Sequence, residues 1–473
     1  MSPTRRQVLK WGGVGLGGIA TVGVAGGAVL LPPRPSAEVA PLPDLATRLF
    51  EMLDEDERAD VVFDYEHPLR QYHNRGVDTG GAWAFLLGRQ TRKVLVDLVH
   101  AGLSEAGRQR IPNQFYLALP GVHVTRLAIF GDPRNPPYQI LVTGPHLNLR
   151  LGGRSREGVA FGGPQVYGDQ RGNGKVGLPG NAYRDQLEQG QQLFARLTRG
   201  ERARARRPKA PVQTAIELQG AGGLFSGVPV AELAREKRES VRGIIASILS
   251  TYAAEDVAYA WECIDHNGGV DALHLSDYAE DHQPGRNVGD GPSQIFRLEG
   301  PAAVFHYRGE PHLHAFFNVG MDGDHPLSVG EVVVENPTAL DRRGVKALFE
   351  DVLVAETGAD LAYYPAESVA GRLRAGTIRT GDLYNLESWR DRVSIVEIKG
   401  ADLSATLVKA LEALEARGGA VQSERTYRVA TTSYVAEHRA DELLGSVATA
   451  TEGAMLRDIA ISHLTAQGFP RRA

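Results

Sequence analysis

The sequence predicts an α+β chain: a mixed α/β amino-terminal domain built on an antiparallel sheet, followed by a smaller α/β domain. Three observations carry that expectation. The 473 residues exceed one core at roughly 150 residues per domain. Apolar runs of period two, separated by Gly- and Pro-rich turns, fall between segments of helical spacing in the first 320 residues. After Gly320-Met321-Asp322-Gly323-Asp324 the pattern changes to strands and helices in alternation. The expected divisions are a signal and linker over 1–40, a first domain over 41–322 and a second over 323–473.

In chain order, Arg5-Arg6-Gln7-Val8-Leu9-Lys10 precedes an uncharged stretch from Trp11 to Leu31, which Pro32-Pro33-Arg34-Pro35 ends. A charged region followed by an apolar one is the pattern of an export signal, and the paired arginines resemble a twin-arginine address. The expected partner is the twin-arginine translocase and the expected location periplasmic or extracellular, with membrane contact only if the signal stays uncleaved. Gly13-Val14-Gly15-Leu16-Gly17-Gly18 fits a dinucleotide pattern but follows no strand, and no nicotinamide, flavin or haem motif is expected elsewhere.

Asp44 then caps an apolar pattern at Leu45, Leu49, Phe50 and Leu53. A second helical run covers Trp83 to Leu103, and Ser104 is placed to cap a short helix after it. Strands are expected over Val122–Phe130, Gln139–Val142 and His146–Leu151 as a meander. Helices follow at Tyr183–Leu197 and Pro229–Ala254, then strands at Ser293–Val304 and His312–Val319. In the second domain the expected order is a strand at Val332, helix Arg343–Glu356, strand Val393–Ile398, helix Leu403–Arg417 and strand Tyr427–Thr431.

Composition excludes several classes of function. There are 52 basic and 57 acidic residues, a formal charge of -5, so no whole-chain basic field gathers nucleic acid. Loss of Arg5, Arg6 and Lys10 with the signal takes that charge to about -8. The one cysteine, Cys263, forms no intramolecular disulfide and no thiolate cluster. Gly172-Asn173-Gly174-Lys175 lacks the hydroxyl residue of a phosphate loop, and no G-x-S-x-G or H-E-x-x-H motif occurs.

Histidine spacing supplies the remaining chemistry. In Pro311-His312-Leu313-His314 a strand period points both imidazoles to one face, a spacing able to grip one divalent metal ion. His146 is a third candidate ligand and shares a face with Asn148 in another strand. One reading is therefore a metal-dependent hydrolase with His146, His312 and His314 as ligands, His146 and Arg75 at the reacting centre, and Asn148 on the substrate. The bland alternative is a set of hydrogen-bonded sheet histidines.

Several motifs occur in an order that resembles the bacterial domain-of-unknown-function family 3500: Phe130-Gly131-Asp132-Pro133, Gly144-Pro145-His146-Leu147-Asn148-Leu149, Gly162-Gly163-Pro164-Gln165-Val166-Tyr167-Gly168, and Arg297-Leu298-Glu299-Gly300-Pro301 before His312-Leu313-His314. The likeness spans about residues 45–320. It implies a fold and no reaction, and Pro145 stands where the family usually has a histidine. Gly376-Thr377-Ile378-Arg379-Thr380-Gly381-Asp382, Val393 to Leu403 and Tyr427 to Tyr434 resemble the carboxy-terminal substrate domain of 5'-nucleotidases, over about residues 327–445. That resemblance implies base stacking on Trp389, and the binding reading adds Tyr384 to the same cleft of the second domain. The Asn-Gly-Gly-Ile-Arg loop is replaced by Tyr363-Tyr364-Pro365-Ala366-Glu367, and the two-metal motifs of the catalytic partner domain are not found. The second reading is thus a non-catalytic exported protein that binds an unknown small molecule.

Overall fold

The computed structural model describes residues 35–73, 81–111, 125–144, 146–152, 158–169, 181–280, 294–309, 313–414, 421–445 and 449–469. The predicted signal therefore lies outside the described residues, as do Arg75 and His312.

The first domain opens with helices α1 (Leu42–Met52) and α2 (Glu55–Val61). Asp54 starts α2 with a reciprocal box, its carboxylate accepting from the Glu57 amide while Glu57 accepts from the Asp54 amide. Strands β1 (Val62–Phe63) and β2 (Ala82–Trp83) precede α3 (Arg89–Ala101) and α4 (Glu105–Arg110), the latter capped by Ser104 as the sequence predicts. The expected meander is present as β3 (Arg126–Asp132), β4 (Asn135–Gly144) and β5 (Leu147–Leu151), followed by β6 (Gln165–Asp169). Helices α5 (Arg184–Arg196) and α6 (Arg199–Ala205), strands β7 (Arg206–Lys209) and β8 (Val228–Pro229), and helices α7 (Arg235–Leu249) and α8 (Ala254–His266) lead to β9 (His274–Glu280), β10 (Ile295–Gly300), β11 (Ala303–Arg308) and β12 (Leu313–Val319).

Two expectations change here. The helix expected over Pro229–Ala254 ends at Leu249, and a second helix starts at Ala254, because the chain leaves helical geometry at Ala253. The strand expected over Ser293–Val304 is a hairpin, since Gly300-Pro301-Ala302 turns the chain between β10 and β11.

Twelve strands of the described residues form one sheet in the order β1-β3-β4-β5-β6-β12-β11-β10-β9-β7, with β2 on β3 and β8 on β9. The β1–β3 and β7–β9 pairs are parallel and the others antiparallel. Its two faces differ in chemistry. One carries Ile129, Val142, Leu149, Tyr167, Phe317, Tyr307 and Leu298, packed with helix residues such as Leu49, Leu95 and Ile245 into the main core. The other carries Thr143, Asn148, Arg150, His314, Arg308, His306, Arg297 and Glu299, all buried. Segment 212–219, without regular structure, runs over that polar face: Gln213 reaches His314, the Ile216 carbonyl accepts from Asn318, and Gln219 donates to Glu299.

The second domain contains β13 (Val332–Asn336), α9 (Arg342–Thr357), β14 (Leu361–Ala362), β15 (Gly376–Arg379), α10 (Thr380–Leu386), β16 (Arg392–Lys399), α11 (Ala405–Leu414), β17 (Thr426–Thr432), α12 (Ser433–His438), α13 (Ala440–Leu443), β18 (Thr449–Met455) and α14 (Leu456–Gln467). Strands β14-β17-β16-β18 make a four-stranded sheet and β13-β15 a separate pair. Its core joins Val345, Leu348, Phe349 and Val352 of α9 to Ile378, Leu383 and Leu464. No helix of the described residues is long and apolar enough to cross a membrane.

Gln71 and Tyr72 join the two domains. The Gln71 side chain accepts from the Val329 amide at 3.0 Å and donates to Asp382 at 3.4 Å, while its carbonyl accepts from Asn385. The buried Tyr72 hydroxyl donates to the Ser388 carbonyl.

Candidate functional site

The polar sheet face and the second domain enclose a cleft of about 510 Å³, within the usual range for small-molecule sites. Six cationic and three acidic side chains line it. From the first domain come Arg207, Lys209, Glu217, Arg297 and Glu299, and from the second Arg342, Arg343, Glu367 and Arg372.

Arg297 and Glu299 alternate along β10, so strand period sends both to the polar face. They form a buried fork-to-carboxylate pair at 2.8 and 2.9 Å. That pairing uses two guanidinium nitrogens of Arg297 and leaves Nη1 buried with no hydrogen-bond partner. Glu299 Oε1 also accepts from Gln219 at 2.5 Å, and Gln219 in turn accepts from Arg372 of the second domain at 2.5 Å.

Glu217 lies in the irregular segment over the same face, and its Oε2 is buried without a hydrogen-bond partner. Burial pushes this carboxyl up to about 7, against the opposing pull of Arg297. It therefore changes charge near neutral pH, as carboxyls that hold or transfer protons do. Arg342 donates to the Ala366 carbonyl at 2.9 Å, and its Nε is also buried and unpartnered. Burial lowers its pKa from the ordinary arginine value, while Glu217 and Glu367 oppose that shift.

Arg342 and Arg343 occupy the first turn of α9, whose first turn contains no acidic residue. Cations at the positive end of a helix cost roughly 0.3–1 kcal/mol each. The Asp341 side chain, which accepts from the Gly344 amide at 2.8 Å, offsets part of that cost. The arginines are thus placed toward the cleft against the local electrostatic preference.

Further along the polar face, the ring centroids of His146 and His314 are 5.1 Å apart. Gly168 makes that approach feasible, because a β-carbon there would stand 2.6 Å from the His314 ring and 3.3 Å from that of His146. The two rings are near neighbours, while the third predicted ligand, His312, lies outside the described residues and the electrostatics oppose a cation. His314 Nδ1 lies 2.9 Å from both the Arg308 guanidinium and Gln213 Oε1. Among the described residues no group of three His, Cys, Asp or Glu side chains is placed to hold a metal ion. Asn148 shares the face as predicted and is fully buried, with neither amide atom hydrogen-bonded. Arg150 donates to the Tyr72 carbonyl at 2.6 Å, tying this region to the interdomain turn.

The two aromatic candidates of the second domain do not line the interdomain cleft. Trp389 is 36% exposed and donates its indole N–H to the Ser368 carbonyl at 3.2 Å. The Arg457 guanidinium lies 4.0 Å from the centre of the Tyr384 ring. Cys263 is buried, and burial pushes its thiol up to about 11, away from nucleophilic use.

Sequence reasoning missed Glu217, Arg342 and Arg343. Arg297 and Glu299 were visible as members of a motif, and their period-two spacing was a signal for a same-face charge pair. Glu217 has no such signal, because segment 212–219 has no repeat to read.

A family model described as protein of unknown function (DUF3500) matches residues 36–319. A second model, described as the 5'-nucleotidase C-terminal domain, matches residues 333–417. No curated protein matches the chain. Among solved structures, a 5'-nucleotidase precursor from Thermus thermophilus is similar at 13% identity and a TM-score of 0.25, over 41% of this chain and 51% of that one. A putative 5'-nucleotidase from Staphylococcus aureus, solved in complex with alpha-ketoglutarate, is similar at 12% identity and a TM-score of 0.21, over 38% and 49%. The chain spans about half the length of these structures, and likeness at that level carries no argument about activity.

Proposed function

Because the chain belongs, through its first domain, to the DUF3500 family of unknown function and carries a 5'-nucleotidase C-terminal-type domain behind it, no reaction comes with the fold, and we propose a function from the cleft itself. The protein binds a small anionic molecule between its two domains. The observation that carries this reading is Arg297: a buried guanidinium lines the cleft with one N–H edge committed to Glu299 and Nη1 left without a partner. A buried charged donor is costly to leave unsatisfied, and an anionic oxygen relieves that cost. The cationic excess around it raises the local concentration of anions.

Calorimetric titration with inorganic phosphate, a small dicarboxylate and a nucleoside monophosphate tests the proposal. Saturable binding of at least one, weakened at least about tenfold in Arg342→Met, supports it; heats of dilution alone for all three would sink it.

The metal-dependent hydrolase is the second reading, and the 5.1 Å approach of His146 and His314 is the observation that favours it. Elemental analysis of natively purified protein decides that case, one equivalent of a divalent metal being the expected result and metal-free protein the contrary one. Export before ligand capture belongs to the same proposal and rests on Arg5 and Arg6 before the uncharged stretch from Trp11 to Leu31. Cell fractionation of an Arg5→Lys, Arg6→Lys variant, expected to stay in the cytoplasm, checks it.

A further inference from the structure

We infer that the cleft selects an oxyanion that carries its own hydrogen, phosphate rather than sulfate, through the carboxylate of Glu217; this rests on the reading of the cleft as an anion site. The argument is one of hydrogen-bond inventory. Arg297 Nη1 and Arg342 Nε are buried donors without partners, and both residues line the cleft. Glu217 Oε2 is a buried oxygen without a partner in the same cleft. An ionised carboxylate only accepts. A ligand that satisfies all three atoms must therefore present acceptors to the arginines and one donor to Glu217.

Phosphate does both at neutral pH, since one of its oxygens keeps a hydrogen. Sulfate presents acceptors only, and its oxygen facing an ionised Glu217 meets repulsion and no hydrogen bond. A site built to pair a ligand O–H rejects the analogue that lacks it far more strongly than a shape-matching apolar pocket does. The charged groups that act on Glu217 are Arg297 and Glu299 on β10, Arg372 from the segment before β15 and Arg342 on α9, while Tyr278, Glu367, Arg207, Lys209 and Arg343 line the same cleft. None of them donates to Oε2, and Gly371 beside it carries no side chain, where a β-carbon would lie 3.0 Å from that atom.

Protonation of Glu217 reverses its role. A neutral carboxyl donates, so it then pairs with a sulfate oxygen, and discrimination between the two anions disappears. Sulfate keeps a constant charge across this range, which makes its affinity a direct report on Glu217.

The experiment is calorimetric titration of the full chain with sodium sulfate and with inorganic phosphate at about pH 5.5 and about pH 8.5, on either side of neutrality. The expected result is roughly tenfold or greater preference for phosphate at the higher pH, falling toward parity at the lower. In Glu217→Gln, whose amide offers both a donor and an acceptor, sulfate affinity is expected to be the same at both pH values. Equal binding of the two anions by the wild-type protein at the higher pH, or a preference that survives in Glu217→Gln, overturns the inference and leaves the anion site standing. Binding of neither anion at either pH overturns the anion-site reading itself. If the variant fails to fold, the pH course of sulfate affinity in the wild-type protein decides the point: a fall through neutrality is expected, and a flat course is the contrary result.

Discussion

Gly371 of the second domain closes over the Glu217 carboxylate of the first, so near that a β-carbon at 371 would stand 3.0 Å from Oε2 and 3.1 Å from the carboxyl carbon. The contact places a buried, unpartnered carboxylate oxygen of the cleft beside a residue with no side chain. Any larger residue there fills space between the domains. Gly371→Leu is accordingly expected to lower phosphate affinity about tenfold or more while leaving the far-ultraviolet circular dichroism unchanged. Titration of the variant at neutral pH checks this; unaltered affinity would show that the cleft is not where the anion sits.

Glu217 also makes stability depend on pH in a defined sense. Its folded value of about 7 lies above the ordinary carboxyl value of 4.5. Between those values the native state holds a proton that the unfolded state has released, so stability falls as pH rises through that window and does not return above it. Glu217→Gln lacks this loss. Relative to wild type, it is expected to gain about 1–3 kcal/mol above pH 7 and nothing below pH 4, as read by urea denaturation.

Of the hydrogen bonds between described residues that cross the domain junction, Gln71 makes three. Gln71→Ala removes the two that use its side chain and leaves the Val329 amide without its acceptor. The expected cost is roughly 1–3 kcal/mol, together with faster proteolysis between residues 320 and 330. A variant as stable and as protease-resistant as wild type would place the junction elsewhere.

Asn148 is fully buried and its amide makes no hydrogen bond, which is a cost that folding alone does not explain. Asn148→Leu, of similar volume, is expected to be neutral or stabilising by up to about 2 kcal/mol. A loss of more than about 2 kcal/mol would show that ordered water or another group satisfies the amide. The thermal midpoint and denaturant midpoint of the variant decide between these outcomes.

Much of the architecture was legible because it rests on local rules. Period-two spacing placed His146 and Asn148 on one face of their strand, and the polar face of the sheet bears Asn148 and His314 together. The helix start at Ser104 and the strand at Val393–Ile398 followed from capping and alternation in the same way. Glycines singled out only as part of a motif turn out to have steric reasons: Gly163 leaves room for Arg150, and Gly168 for the two histidine rings. The cleft was not legible. It joins a strand pair, Arg297 and Glu299, to an irregular segment at Glu217 and to a helix start at Arg342, residues brought together only by tertiary packing. Trp389 and Tyr384, expected to line a cleft in the second domain, contact the Ser368 carbonyl and the Arg457 guanidinium there and do not line the interdomain cleft.

The central claim is that Arg297 supplies a buried, uncommitted donor to an anion between the domains. Arg297→Lys tests it most directly, because a lysine retains the charge opposite Glu299 while losing the second guanidinium edge. Titration of inorganic phosphate into this variant and the wild-type protein at neutral pH is the measurement. The account predicts saturable binding by the wild-type chain and affinity weakened at least about tenfold in the variant, with folding intact. Equal affinity in the two proteins would contradict it.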